Sequence, residues 1–234
     1  MTDLLVLWDV DGTLLNAAGL GTRLYEMVFR VLFGRELPAV APKAGRTDRA
    51  IITDTLALAG IPEPQAQVDR FLAALASQVA AVDGTMNARV RPLAGAAAAI
   101  AALAKASTLH RQIHQSVLTG NMRPLAVLKL GLADLGDHLD LGAGAYGDAH
   151  EVRAELVPLA RLAASRVYGP GFAGPSTILI GDTPLDVEAA LASGARAVGV
   201  ATGGYSTAEL TEAGAHAVLP DLTDPALVVA AVTG

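Results

Sequence analysis

The chain has 234 residues and no cysteine, which excludes disulfide bonds, thiolate zinc sites and cysteine nucleophiles. Lysine is also scarce and occurs only at Lys43, Lys105 and Lys129. The formal net charge of −6 argues against nucleic acid as a partner, because phosphate backbones bind clustered Lys and Arg. Small molecules that carry phosphate are still compatible with this charge, since a bound cation can reverse its local sign.

Long, strongly apolar runs are missing as well. Although 52% of the residues are hydrophobic, much of this fraction is alanine, which contributes little transfer free energy. No stretch of about twenty strongly apolar residues predicts a membrane span. The amino terminus also lacks the basic start and the cleavage site of a signal peptide. We therefore expect a cytoplasmic protein that has no membrane contact.

Two aspartates follow the first apolar run of the chain. Residues 4–8 are all apolar, and this pattern predicts a strand buried on both faces, as in parallel sheets. Asp9 and Asp11 come at its carboxyl end, where open α/β folds place their ligands. Gly12 and Thr13 then turn the chain, so that both carboxylates face one cleft. Considered alone, the segment also fits an acidic turn without a function.

A second acidic cluster repeats this pattern. Residues 178–180 are apolar, and Asp182 and Asp186 follow them. If the two strands are neighbours, four carboxylates converge and raise each other's pKa unless a cation lies between them. Mg²⁺ suits a site with few protein oxygens and several waters. The alternative role of Asp182 is to cap the helix that follows, in which Pro184 fits the first position.

A third polar strand end lies at Thr119, Gly120 and Asn121. These residues close a predicted strand over residues 115–119 and precede a predicted helix. A hydroxyl group and free backbone N–H groups at the start of a helix can hold a phosphoryl group. The same tripeptide is also an ordinary turn and cap.

Strands and helices alternate along the chain from residue 90 to residue 219. This alternation predicts a parallel sheet with helices on both faces. Residues 16–87 instead predict three helices, over residues 20–33, from 45–48 to 59, and over 64–82. The predicted organisation is an α/β core of residues 1–15 and 88–234, interrupted by a helical domain of residues 16–87.

The three strand ends, in this order, resemble the haloacid dehalogenase superfamily. Its first motif, DxDGT, matches residues 9–13, its second matches Thr119, and its fourth, GDxxxD, matches Gly181 to Asp186. The likeness covers nearly the whole chain and is to the phosphoglycolate phosphatase-like and beta-phosphoglucomutase-like branches. It implies a Rossmann-like parallel sheet with a helical cap domain inserted after the first motif.

The resemblance also implies a mechanism and a set of site residues. Asp9 would attack phosphorus to form an aspartyl-phosphate, and Asp11 would act as general acid and base. Mg²⁺ would be held by the Asp9 side chain, the Asp11 carbonyl and Asp182, with Asp186 orienting a lysine or a metal-bound water. The expected substrate-binding residues are Gly12, Thr119, Gly120, Asn121 and Arg46.

The third motif of the superfamily is a lysine, and here the sequence departs from the commoner form. Many relatives carry Lys-Pro before the helix that precedes the fourth motif, but this chain has no lysine after Lys129. We assign the catalytic role to Lys129 by elimination, because the helix after Thr119 also carries this lysine in some relatives. Arg153 and Arg161 are weaker substitutes, and Lys129 could instead be a surface lysine.

Phosphate-ester chemistry is favoured because Asp11 is retained, since relatives that displace halide or cleave phosphonates typically lack this aspartate.

In the cap, Arg46 could bind a carboxylate or a second phosphate of the substrate, or it could be a solvated or helix-pairing residue. The leading prediction is a Mg²⁺-dependent phosphatase, a monomer or a homodimer, that acts on a small phosphorylated metabolite. The alternatives are a phosphomutase and a non-catalytic binding protein of the same fold.

Overall fold

The computed structural model describes residues 2–82 and 89–234. Its strands are β1 (Leu4–Trp8), β2 (Leu15–Asn16), β3 (Arg91–Pro92), β4 (Ile113–Thr119), β5 (Ala145–Tyr146), β6 (Thr177–Gly181), β7 (Arg196–Val200) and β8 (Ala217–Leu219). Its α-helices are α1 (Leu20–Phe33), α2 (Asp48–Leu58), α3 (Pro64–Ala80), α4 (Ala96–Ala106), α5 (Arg123–Leu132), α6 (Leu156–Tyr168), α7 (Pro184–Ala192), α8 (Thr207–Glu212) and α9 (Pro225–Thr233). Short 3-10 helices cover Arg153–Glu155 and Gly174–Ser176.

Six strands form one parallel sheet in the order β5-β4-β1-β6-β7-β8. Strand β1 lies between β4 and β6, with Trp8 opposite Val117 on one side and Ile180 on the other. The three strands that precede the polar motifs are therefore direct neighbours, and their carboxyl ends meet at one edge. This arrangement confirms the predicted Rossmann-like α/β fold.

Helices cover both faces of the sheet, and this explains why every position of β1 is apolar. Leu4, Val6 and Trp8 belong to one hydrophobic cluster, whereas Leu5 and Leu7 belong to a second cluster on the opposite face. Side chains alternate between the two faces of a strand, so a strand buried on both faces needs an apolar residue at each position.

A helical insert, formed by α1, α2 and α3, follows the first motif. Helix α1 has the predicted bounds, ends at Gly34 with φ of 67°, and packs through Tyr25 on Phe71 of α3 with ring centroids 5.3 Å apart. Helix α2 is capped by Thr47, whose hydroxyl accepts from the Ala50 N–H. The short strands β2 and β3 pair in antiparallel fashion where the chain leaves and re-enters the core. The predicted insert boundary at residue 87 lies outside the described residues.

Three features differ from the sequence-based expectation. The helix expected from residue 151 begins as a 3-10 turn, and its α-helical part starts only at Leu156. Helix α9 was not predicted; Asp224 caps it, and it packs on α4 and β8. Strand β5 has two residues only, too few for an alternation pattern. Among the described helices, none combines the length and apolar character needed to cross a membrane.

Candidate active site

The carboxyl ends of β1, β4 and β6 open into a cavity of about 500 Å³ that the helical insert covers. Core and insert residues both line it. Those with polar or charged side chains include Asp9, Asp11, Asn16, Tyr25, Lys43, Arg46, Asp48, Thr119, Asn121, Lys129, Arg153, Asp182 and Thr202.

Asp9 lies at the end of β1, where its N–H donates to the Ile180 carbonyl at 2.8 Å. The side chain is buried, and its Oδ1 accepts from Arg153 Nη2 at 2.6 Å. Burial raises the pKa of Asp9 well above its usual range; Arg153 opposes this shift, while Asp186 and Asp182 add to it. The carboxyl group therefore sits in a crowded, negatively charged environment that a cation would relieve.

Arg153 joins two of the carboxylates at the sheet edge. Its Nη2 donates to Asp9 Oδ1 and, at 2.5 Å, to Asp186 Oδ1, and also to the Leu118 carbonyl at 3.3 Å. Burial disfavours its charge, but Asp186 and Asp9 outweigh that cost and raise the pKa of Arg153. The guanidinium group is thus a fixed positive charge beside the predicted nucleophile.

This position differs from the one expected for the third-motif cation. The sequence-based assignment gives that role to Lys129 and expects Asp186 to orient either Lys129 or a metal-bound water. In the structure Asp186 contacts Arg153, and Lys129 contacts Asp11. Arg153 begins the turn before α6, the helix that precedes the fourth motif, and this is where relatives carry their Lys-Pro. That placement is the signal in the sequence that favours Arg153, which the sequence analysis ranks below Lys129 because the motif of the family carries a lysine.

Asp186 and Asp182 are held in different ways. Asp186 forms a capping box with Thr183 at the start of α7, and its Oδ2 accepts from the Thr183 backbone and hydroxyl groups. Asp182 Oδ1 accepts from the Thr13 hydroxyl at 3.1 Å. A Cβ on Gly203 would lie 1.7 Å from Asp182 Oδ2, so glycine at position 203 leaves the space around this oxygen open.

The acidic cluster fits a hard divalent cation. Carboxylate oxygens of Asp9, Asp182 and Asp186 lie within 4.8 Å of one another, and carboxylates are the ligands that such cations prefer. Both oxygens of Asp186 already accept hydrogen bonds, whereas Asp9 and Asp182 each use only Oδ1 within the described residues. Asp9 and Asp182 are therefore the members of the cluster with an oxygen available to a metal.

We expect the stability of the metal-free protein to fall as the pH rises from about 4 to about 7. Burial, with a smaller contribution from Asp186, raises the pKa of Asp182 to about 7 from its ordinary 3.8. Between these values the folded state keeps a proton that the unfolded state has lost, so unfolding becomes easier as the pH increases. Mg²⁺ should raise the Tm more at the upper end of this interval than at the lower end.

Thermal unfolding at several pH values, with EDTA or with Mg²⁺, measures this effect. Asp182→Asn should remove the part of the pH dependence that comes from Asp182 and should weaken the response to Mg²⁺, while the part that comes from Asp9 remains. A metal-free Tm that increases across the interval would contradict the expectation.

A second hydrogen-bonded network lines the cavity and is formed by Asp11, Asn121, Lys129 and Thr119. Lys129 Nζ donates to Asp11 Oδ2 at 2.6 Å and to Asn121 Oδ1 at 2.7 Å. Asn121 Nδ2 donates to Asp11 Oδ2 and to Thr119 Oγ1. The Thr119 hydroxyl, which accepts here, keeps its own proton to donate to a ligand.

The charge of Asp11 is stabilised by this network. Burial acts to raise its pKa, but the charge and hydrogen bond of Lys129, together with the Asn121 amide, lower it overall. The Asp11 side chain is still 41% exposed, compared with 9% for Asp9. Asp11 can therefore exchange protons with a molecule in the cavity, while Asp9 is fixed at its base.

Hydrogen bonds join the helical insert to the loop after β4. Asp48 accepts from the Tyr25 hydroxyl and from the Met122 N–H, both at 2.7 Å, and its own N–H donates to the Gly120 carbonyl at 2.7 Å. Thr47 donates to the Glu151 carbonyl. Asp48 thus links α1, α2 and the predicted phosphate-binding loop, a role that no sequence motif indicated.

Gly120→Ala should destabilise the protein by about 1–3 kcal/mol. A Cβ at this position would lie 1.9 Å from the Arg46 carbonyl oxygen, so either the insert or the loop after β4 must move. Urea unfolding measures the loss of stability. Gly131→Ala is the matched control, because a Cβ there has no neighbour within 4 Å in the part of the chain that the structure describes. Equal stabilities of the two variants would contradict the prediction.

Arg46 does not present its guanidinium group to the cavity in the way the substrate-binding prediction requires. Its Nη2 donates to Asp54 Oδ2 at 2.6 Å and to the Ala50 carbonyl, and its Nη1 donates to the Pro42 carbonyl. These bonds match the helix-pairing alternative. All five predicted substrate-binding residues line the cavity, and they are Gly12, Thr119, Gly120, Asn121 and Arg46.

Comparison with known proteins supports the fold and the family. The model of the haloacid dehalogenase-like hydrolase family matches residues 6–191. No curated protein matches the sequence significantly. A solved structure from Bacteroides vulgatus, named as a candidate beta-phosphoglucomutase, has 17% identity and a TM-score of 0.66, with 99% of this chain and 90% of that chain covered.

Two further structures show the same likeness. A predicted phosphatase from Clostridium acetobutylicum is 20% identical, with a TM-score of 0.61 and 94% of each chain covered. A haloacid dehalogenase family hydrolase from Deinococcus radiodurans, solved with bound phosphate and sodium, is 23% identical, with a TM-score of 0.53 and 99% of this chain and 95% of that chain covered. Together with the acidic cavity at the sheet edge, the family match shows that the chain belongs to the haloacid dehalogenase-like hydrolases.

Proposed function

We propose that the protein is a Mg²⁺-dependent phosphatase that hydrolyses a small phosphorylated metabolite through an aspartyl-phosphate on Asp9. The observation that carries this proposal is the different environment of the two aspartates after β1. Asp9 is buried against Arg153, with Oδ2 left unbonded among the described residues. Asp11 is exposed to the same cavity and bonded to Lys129 and Asn121.

The proposed reaction has two steps. In the first, a carboxylate oxygen of Asp9 attacks phosphorus, the bond from phosphorus to the ester oxygen breaks, and Asp11 donates a proton to that oxygen. In the second, water attacks the phosphorus of the aspartyl-phosphate while Asp11 takes the proton, and inorganic phosphate and free Asp9 result. Asp11 is ionised in the free protein because Lys129 lowers its pKa; a bound phosphate dianion raises that pKa and allows protonation.

The remaining site residues would stabilise or orient the charged groups of the substrate and of the two aspartates. Mg²⁺, held by Asp9, Asp182 and the Asp11 carbonyl, would neutralise negative charge on the phosphoryl oxygens. Arg153 would orient Asp9 and reduce its repulsion from the substrate. The Thr119 hydroxyl and the N–H groups of the loop after β4 would donate to the phosphoryl group. Lys129 would keep Asp11 in place between the two steps.

Phosphate release from a panel of phosphorylated metabolites, with Mg²⁺ or with EDTA, tests the proposal. We expect inorganic phosphate as a product in the presence of Mg²⁺ and a large loss of rate after chelation. Turnover that is equally fast in EDTA, or no release from any ester, would contradict it. Formation of an isomeric phosphate ester that depends on a bisphosphate activator would instead identify a phosphomutase.

Lys129→Met should move the acidic limb of the pH profile of kcat/KM to higher pH. Without the ammonium group, the Asn121 amide is the one side-chain partner that Asp11 keeps among the described residues, and the factor that lowers its pKa most is lost. Rates at several pH values, with Lys105→Met as a control on the exposed side of α4, measure the shift. An unchanged profile with a lower rate would show that Lys129 acts on the substrate and not through Asp11.

Three further properties belong to the same proposal. Residues 16–87 act as the cap that encloses the substrate, the protein is a monomer or a homodimer, and it works in the cytoplasm. The contacts of Asp48 with the loop after β4 support the first of these. Chromatography with light scattering and localisation of the tagged protein test the other two.

A further inference from the structure

The loop after β7 brings a fourth strand end to the cavity, beside the three that carry the sequence motifs. Strand β7 pairs with β6, and residues 202–204, which lie between β7 and α8, line the cavity together with Asp11, Gly12 and Asp182. These three loop residues are a threonine and two glycines, so none of them carries a charge. Their contacts are with the groups that would hold the metal.

Thr202 contacts the turn that follows β1. Its hydroxyl donates to the Gly12 carbonyl at 2.7 Å, across 190 positions of the chain. On the other side of this glycine, the Gly12 N–H donates to the Leu15 carbonyl at 2.9 Å. Gly12 has a φ of 88°, and the two hydrogen bonds fix the peptide planes before and after it. Thr202 therefore determines the orientation of the second of these planes.

Each of the two peptide planes is connected to a group that the metal site requires. The Asp11 carbonyl belongs to the first plane and accepts no hydrogen bond within residues 2–82 and 89–234, so its oxygen is available to a cation. The second plane joins Gly12 to Thr13, whose hydroxyl donates to Asp182 Oδ1 at 3.1 Å. Because peptide planes are rigid, a rotation of the turn would displace the Asp11 carbonyl and weaken the bond to Asp182 at the same time.

Gly203 lies directly against Asp182. A Cβ at position 203 would overlap with Asp182 Oδ2, the carboxylate oxygen that the Thr13 hydroxyl does not use. At the next residue, Gly204, a Cβ has no neighbour within 4 Å among the residues that the structure describes. The lack of a side chain is thus required at position 203 and not at position 204.

We propose that Thr202 and Gly203 are positioning residues of the metal site and that they set its affinity for Mg²⁺. Thr202 holds the turn after β1 so that the Asp11 carbonyl keeps its place, and Gly203 leaves room for Asp182 Oδ2. Replacing residues that orient metal ligands typically lowers metal affinity by about ten- to hundredfold. The inference rests on the proposed function, because it takes Mg²⁺ as the ion of the acidic cluster.

Calorimetric titration of the substrate-free, full-length protein with Mg²⁺ tests the proposal without turnover. We expect Thr202→Val, which keeps the shape of threonine but not its hydroxyl, to raise the Kd for Mg²⁺ by about tenfold. Thr202→Ser keeps the hydroxyl and should restore most of the affinity. Thr211→Val is the matched control and should leave the Kd unchanged, because the Thr211 hydroxyl donates to the Thr207 carbonyl within the exposed helix α8.

Gly203→Ala should raise the Kd for Mg²⁺ by about tenfold or more, whereas Gly204→Ala should bind Mg²⁺ as tightly as the wild type. Saturating Mg²⁺ should restore most of the kcat of Thr202→Val, since its metal ligands are unchanged, and the Tm in EDTA verifies that each variant is folded. An unchanged Kd in Thr202→Val, or equal affinities of Gly203→Ala and Gly204→Ala, would overturn the inference while the phosphatase function stands. A wild type that binds no Mg²⁺, or that releases phosphate equally fast in EDTA, would overturn the Mg²⁺-dependent function itself.

Discussion

Asp9→Asn is expected to lower the rate of phosphate release by about 10⁴-fold or more, because an amide cannot attack phosphorus as a carboxylate does. The effect should be almost entirely on kcat, since the groups at Thr119, Asn121 and Arg153 that would hold the substrate are unchanged. The variant should remain folded: Asp9 is one of three crowded carboxylates, and removing one negative charge relieves the repulsion among them.

Trapping of the phosphorylated intermediate checks the same step directly. After an acid quench of the turning-over wild type, mass spectrometry should find one phosphoryl group on the peptide that contains Asp9, and none in the variant. Asp3→Asn is the matched control, because Asp3 precedes the other end of β1 and is partly exposed. Full activity of Asp9→Asn would rule out the proposed nucleophile.

Arg153→Met is expected to lower the free energy of unfolding by about 3–5 kcal/mol, the usual cost of removing one partner of a buried ion pair. Arg153 is the only basic side chain within ion-pair distance of Asp9 and Asp186 in the described residues. Its loss leaves three neighbouring carboxylates without a positive charge, and catalysis should fall with stability because Asp9 loses its orienting partner. Urea unfolding with EDTA and with Mg²⁺ measures the effect.

Two further variants separate the charge effect from the loss of packing. Arg161→Met removes a half-buried arginine of α6, whose hydrogen bonds within the described residues go to neutral oxygens of Thr177, Ser193 and Gly174. We expect it to lower the free energy of unfolding by less than Arg153→Met does. Combining Arg153→Met with Asp186→Asn should recover part of the lost stability, because one of the repelling charges is gone. Equal costs for Arg153→Met and Arg161→Met would contradict an electrostatic role for Arg153.

Which elements and contacts the sequence predicts correctly depends on how far apart the interacting residues lie along the chain. The bounds of α1 and the cap of α2 are predicted to within a residue or two. Gly34 ends α1 and Thr47 caps α2, and both residues lie next to the helix end that they determine. Helix α9 is apolar on nearly all sides and so lacks the periodicity on which such a prediction depends. The partner of Asp186 could not be predicted, since Arg153 is 33 residues away along the chain.

Apolar periodicity and short motifs are local properties, and they predict the parallel α/β core, the helical insert and the two aspartates after β1. The tertiary structure sets which cation faces which carboxylate: Arg153 contacts Asp9, Lys129 contacts Asp11, and Arg46 contacts Asp54. It also brings Thr202 to the turn after β1. These pairings depend on how the insert and the loop before α6 fold back over the sheet edge, and no spacing along the chain encodes that approach.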